Sequence, residues 1–166
     1  NSHKITLLDV FGNNLPAKPD QKLNDSTVAG IDANKNFIRD DVELAIFAKY
    51  PNSAKIRAAE LQYAQALQLE LTQVFDSGTL VATLQKGSYG VVCIGGTGPE
   101  VNLSDSHEKI LADSAVSDNR ISEVEDLVVN TDMRKERREY VLGKYMTTYS
   151  SPAGQYCDIN PSTLSN

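Results

Sequence analysis

The sequence predicts an all-α protein, an irregular bundle of about five helices with an extended N-terminal arm. Three observations lead there. Apolar residues recur at three-, four- and seven-residue steps through most of the chain after position 40. Prolines fall between those stretches rather than inside them, and most glycines do too, Gly87, Gly90 and Gly143 excepted. Strand composition is confined to short runs, of which Tyr89-Gly-Val-Val-Cys-Ile94 is the clearest. With 166 residues the chain is long enough to bury one core, so residues 1–31 are expected to be an arm packing on the domain and 32–166 a single helical domain.

In the arm, Ile5, Leu7, Leu8, Val10 and Phe11 suit a short strand or an extended tether lying on the core. Gly12-Asn-Asn, Pro16 and Pro19 then break regular structure. Val42, Ile46 and Phe47 mark a helix over 40–50, ended by Pro51. Ser53 is placed to cap a long helix over 53–76, with Ile56, Tyr63, Leu67 and Val74 as its inward stripe. Its glutamines, Gln62, Gln65, Gln68 and Gln73, are expected on a polar outer face, and Glu60 and Glu70 on the surface. Residues 79–94 favour helix by context, although Gly87 and Gly90 weaken it. The Gly95–Gly98 run lacks the Lys-Ser/Thr of a P-loop and is expected to be a connector. Two short helices are expected over 104–114 and 118–129. Asn130-Thr131 opens a basic last helix, 132–149, and the Pro/Ser/Asn-rich tail from Ser150 is expected on the surface.

The most specific chemistry lies in Asp32-Ala-Asn34-Lys-Asn36-Phe-Ile38-Arg-Asp40-Asp41-Val-Glu43. Oxygen-bearing side chains stand at positions 1, 3, 5, 9 and 12 of this twelve-residue window, the spacing of an EF-hand calcium loop. A hard cation takes six to eight oxygens, so these side chains must converge. Asp32, Asn34, Asn36, Asp40 and Glu43 would supply side-chain oxygens, and Ile38 its backbone carbonyl. Three carboxylates favour a divalent ion, and two Asn in place of Asp lower the affinity toward that of extracellular modules. Two positions depart from the pattern. Phe37 occupies the sharp turn where Gly is usual, and Arg39 replaces an aliphatic residue. The other reading is an EF-like turn that caps a helix and holds no ion, with Asp40 and Asp41 favouring the helix dipole.

The run from Leu23 through Asp25, Thr27, Gly30 and Asp32 to Glu43 resembles a motif of uncharacterised bacterial exported proteins, roughly D-x-N-x-N-G-x-R-D-D-V-E. Such loops are similar to EF-hand and thrombospondin type 3 calcium loops. A weaker match lies in Val129-Asn-Thr131 and in Cys157-Asp158. The resemblance implies an exported, periplasmic or secreted, mostly helical protein that carries calcium, and it implies no activity.

A net charge of −6 argues against nucleic acid and against an anionic membrane surface. No apolar run approaches the length of a membrane span. The even cysteine count, Cys93 and Cys157, suggests one disulfide, two buried thiols being the alternative. A catalytic pair of free Cys93 with His107 is the sharper and weaker alternative. The expected function is therefore calcium-stabilised binding of a protein or cell-envelope partner, not catalysis. A metal-free structural or inhibitory protein, or a hydrolase, stand as competitors.

Overall fold

The computed structural model describes residues 3–150 and 153–166, so the first two residues of the arm and residues 151–152 of the tail lie outside the described residues. The fold is all-helical. In chain order the helices are α1 (Leu7–Phe11), α2 (Gln21–Asn24), α3 (Asp40–Lys49), α4 (Ala54–Gln73), α5 (Ser77–Gly96), α6 (His107–Val128) and α7 (Asp132–Tyr145), followed by a 3₁₀ turn at Pro161–Thr163.

The long helix α4 is the axis of the bundle. Its sequence is almost wholly Ala, Leu, Gln, Glu and other good helix formers, and Ser53 caps it by accepting from the Ile56 N–H. Every residue from 57 to 71 is buried, because α1, α3, α5, α6 and α7 all pack around it. That overturns the expected polar face. Gln62, Gln65 and Gln68 are buried, and each amide donates to the backbone carbonyl of a loop: Tyr156 at 2.7 Å, Asn36 at 2.8 Å and Ala29 at 2.8 Å. Glu60 and Glu70 are also buried and pair with Arg120 and Arg138 at 2.8 and 2.9 Å. In a helix covered on all sides, such side chains persist because each makes at least one polar contact, although Oε1 of Gln65 and of Gln68 is buried without a hydrogen-bond partner.

Other elements differ from expectation in definable ways. The arm forms the short helices α1 and α2 rather than a strand, since Asp9 Oδ2 accepts from both the Thr6 N–H and its hydroxyl. Ile5 and Val10 reach the main core. The two short helices expected between 104 and 129 are one, α6, with no Gly or Pro inside it, capped by Ser106 rather than Ser104. Its first half projects from the bundle; Leu111 is 57% exposed, and burial begins at Arg120. Gly95 and Gly96 belong to the last turn of α5, not to a connector. The last helix stops at Tyr145.

Cys93 and Cys157 stand at disulfide distance, with Cα atoms 5.2 Å apart, and tie the tail to α5. No cysteine is free, which removes the catalytic pairing of Cys93 with His107. The loop closed by this bond spans 64 residues, for which chain entropy predicts a contribution of about 4 kcal/mol. Reduction with dithiothreitol is expected to lower the urea-unfolding free energy by that order while far-UV circular dichroism stays helical.

The glycines of α5 explain its close approach to α4. A Cβ on Gly90 would lie 2.9 Å from the Tyr63 Cα, whereas one on Gly87 would meet the Tyr63 ring at 3.9 Å. Gly87→Ala is therefore expected to stabilise by about 0.5–1 kcal/mol through helix propensity. Gly90→Ala is expected to destabilise by about 1–2 kcal/mol, because overpacking outweighs the same gain. Paired denaturant melts check both signs.

Candidate metal centre

The loop between α2 and α3 turns sharply before it enters α3. Phe37 adopts a left-handed φ of 65° and Lys35 one of 59°. A residue with a Cβ costs about 1–2 kcal/mol there. Several bonds offset that cost. Both oxygens of Asp32 turn inward, accepting from the N–H of Asn36 at 3.2 Å and of Phe37 at 3.0 Å. Gln65 holds the Asn36 carbonyl, and the Phe37 ring lies against His3 with centroids 3.7 Å apart. The hydrophobic plug is Ile38, whose side chain is fully buried in the main core, while Phe37 is half-buried.

Each of the six expected ligand residues has a definite place. Asp32 closes over the loop's own amides. Asn34 donates from Nδ2 to the Asn14 carbonyl and to Glu43 Oε2, both at 2.9 Å, and its Oδ1 is buried without a hydrogen-bond partner. Asn36 accepts from the Ile38 N–H at 2.9 Å and reaches Asp9 Oδ1 at 3.3 Å. Asp40, 1% exposed, accepts from the Ala33 N–H at 3.0 Å. Glu43, also 1% exposed, projects from the first turn of α3 onto Asn34. The structure thus gathers Asn34, Asn36 and Glu43 directly. Asp40 lies close enough to feel the charges of Asp32 and Asp41, and Glu43 those of Asp9 and Asp40.

The electrostatics follow from burial. Desolvation pushes the Glu43 carboxyl up to about 7, opposed by hydrogen bonds from Asn34 and Asn36 and helped by the negative charges of Asp9 and Asp40. Asp40 is raised chiefly by burial, with Asp32 and Asp41 adding repulsion. No ion pair among the described residues involves Asp9, Asp32, Asp40 or Glu43. Nor do three or more His, Cys, Asp and Glu side chains among the described residues form a group that could hold a metal ion. The donor set at the loop is mixed: three carboxylates, two amide oxygens and a carbonyl. Oxygen donors without nitrogen or sulfur suit a hard cation and not zinc. The orphaned Asn34 Oδ1 and the unpaired buried acids fit such an ion.

Arg39 gives the loop its anchor. Its side chain is wholly buried; it pairs with Asp41 at 2.5 Å and donates to the Leu127 and Val128 carbonyls at 2.7 and 3.0 Å, where α6 ends. Gly30, at a φ of +64°, gives it room: a Cβ there would sit 2.3 Å from the Arg39 Cδ. Asp9 and Gln65 were missed as neighbours of the site. Asp9 is remote in sequence, and Thr6-x-x-Asp9, a helix-start signal, was its only cue.

Comparison of the chain with protein-family models, curated proteins and solved structures gives no match. Fold and site together define an all-helical, disulfide-linked bundle whose 32–43 loop leads into α3.

The sign of the pH dependence follows from Glu43. Below about pH 4.5 it is protonated in both the folded and the unfolded chain. Between 4.5 and about 7 the unfolded chain ionises while the folded one resists, so stability falls as pH rises through that window. In the presence of a chelator the loss is expected to be of order 3 kcal/mol. Urea melts at pH 5 and pH 7.5 measure it, and Glu43→Gln is expected to flatten the slope.

Proposed function

We propose that the protein is an exported helical module whose 32–43 loop binds one calcium ion in a structural role. Asp32, Asn34, Asn36, the Ile38 carbonyl, Asp40 and Glu43 would hold the ion, and none would act as a catalyst. One observation carries this reading. Asp40 and Glu43 are 1% exposed, face other acids, and have no ion pair among the described residues. Buried carboxylates normally demand a compensating charge. A bound divalent cation supplies that charge at the point where the loop enters α3. Its chemistry is electrostatic only: it joins loop and helix and fixes their angle.

One further observation supports export: the Cys93–Cys157 pair suits an oxidising compartment. The left-handed turn at Phe37 supports the loop assignment over a plain helix cap, because a cap requires no such turn.

Calcium at about a hundredfold above its dissociation constant is expected to stabilise the fold by about 2.7 kcal/mol, a rise in Tm of about 5–10 °C. EGTA is expected to reverse it. Glu43→Gln is expected to melt higher than the wild type in EGTA, because it removes a buried charge, and to show no rise with calcium. Thermal unfolding of both proteins over a calcium series is the test, and a wild-type Tm indifferent to calcium would count against the loop.

A further inference from the structure

We propose that Asp9 of α1 and Gln65 of α4 complete the cation site from outside the loop, so that the ion clamps the N-terminal arm onto the central helix. The inference rests on the calcium reading of the 32–43 loop and extends it to residues that the loop spacing does not contain.

A cation loop of this type is ordinarily flanked by two helices. Here α3 leaves the loop, but the helix before it, α2, has four residues and ends eight positions before Asp32. The helix that does reach the loop is α1, through Asp9. Asp9 lies on α1, 9% exposed, with Oδ2 committed to Thr6. Its other oxygen, Oδ1, faces the loop and meets only the Asn36 amide, at a long 3.3 Å.

Gln65 approaches from α4. It is 2% exposed, and its Nε2 is committed to the Asn36 carbonyl at 2.8 Å. Its Oε1 is buried and has no hydrogen-bond partner. An amide oxygen left so costs about 1–3 kcal/mol. Asp9, Asn14, Asn34, Asn36 and Gln65 line one cavity of about 270 Å³, and two of them, Asn34 and Gln65, carry the orphaned oxygens. Lys4 and Lys35 also line it, but both are exposed and neither forms an ion pair with these acids among the described residues.

A water could satisfy either orphan by donating hydrogens. It would leave Asp9 and Glu43 repelling one another. A hard cation answers both demands, since it accepts carboxylate and amide oxygens alike and neutralises the acids. With Glu43 binding through one oxygen, its Oε2 being held by Asn34, the loop offers six oxygens; calcium takes up to eight, which leaves places for Asp9 Oδ1 and Gln65 Oε1. The arm then becomes part of the site, and its docking becomes dependent on the ion.

The test is calorimetric titration of calcium chloride into the full EGTA-stripped chain, together with amide exchange over residues 5–11. Asp9→Asn is expected to weaken calcium binding about tenfold or more, and Gln65→Met about threefold or more. Calcium is expected to slow exchange of the arm in the wild type and not in Asp9→Asn. Wild-type binding with both variants unchanged, and an arm whose exchange ignores calcium, would overturn the clamp and leave the loop site standing. A wild type that binds no calcium would overturn the loop reading and the clamp with it. If Asp9→Asn does not fold, Gln65→Met, which leaves the Thr6–Asp9 contact intact, decides.

Discussion

Negative charge buried without a cationic side chain is the constraint to which the rest of this structure answers. Glu43 and Asp40 are almost wholly removed from water, and each feels further acids rather than a lysine or arginine. Elsewhere the same chain pairs its buried acids with care. Glu60 meets Arg120 in a buried contact, and Glu70 meets the partly exposed Arg138. The loop is the exception to a rule that the molecule otherwise follows. That contrast, within one chain, is why a bound cation is the economical account of the loop.

The bundle is built to hold that loop still. Two arginines fix its surroundings from beneath. Arg39 grips the end of α6, and Arg134 grips the turn over residues 24–28 through the Asn24, Thr27 and Val28 carbonyls at 2.6, 3.2 and 3.2 Å. Both also reach Asn130 Oδ1, at 3.3 and 2.6 Å, so the stretch before the loop, the loop exit and the α6–α7 corner share one hydrogen-bonded centre. The glutamine row of α4 takes two carbonyls of the α2–α3 loop, Ala29 and Asn36, and one of the tail, Tyr156. Helix packing supplies the stability, and these side chains transmit position to the site.

The sequence made some of this plain and hid the rest for physical reasons. Helical spacing located α3 and the start of α7 closely, because a helix with one wet face prints its period on the chain, and the Ser53 cap and good helix formers located α4. The same logic misplaced the glutamines of α4, since a helix covered all round has no wet face to mark. Periodicity also failed at α6, whose projecting half lacks a buried stripe and looked like a separate short helix. The even cysteine count pointed to the Cys93–Cys157 pair. At the site, the loop spacing was visible, but the tolerance of Phe37 for a left-handed turn was not: it depends on Gln65 and His3, which only the fold brings there. Arg39, which looked like a defect in a calcium motif, is the anchor of the loop.

A crystal structure grown in calcium, with a second from crystals grown in EGTA, is the most direct measurement. The account predicts a single ion bounded by Asp32, Asn34, Asn36, Asp40 and Glu43 at about 2.3–2.6 Å from their oxygens. Unchanged density in the two crystals, with Glu43 protonated against Asn34 and the cavity beside Asp9 holding water alone, would contradict it.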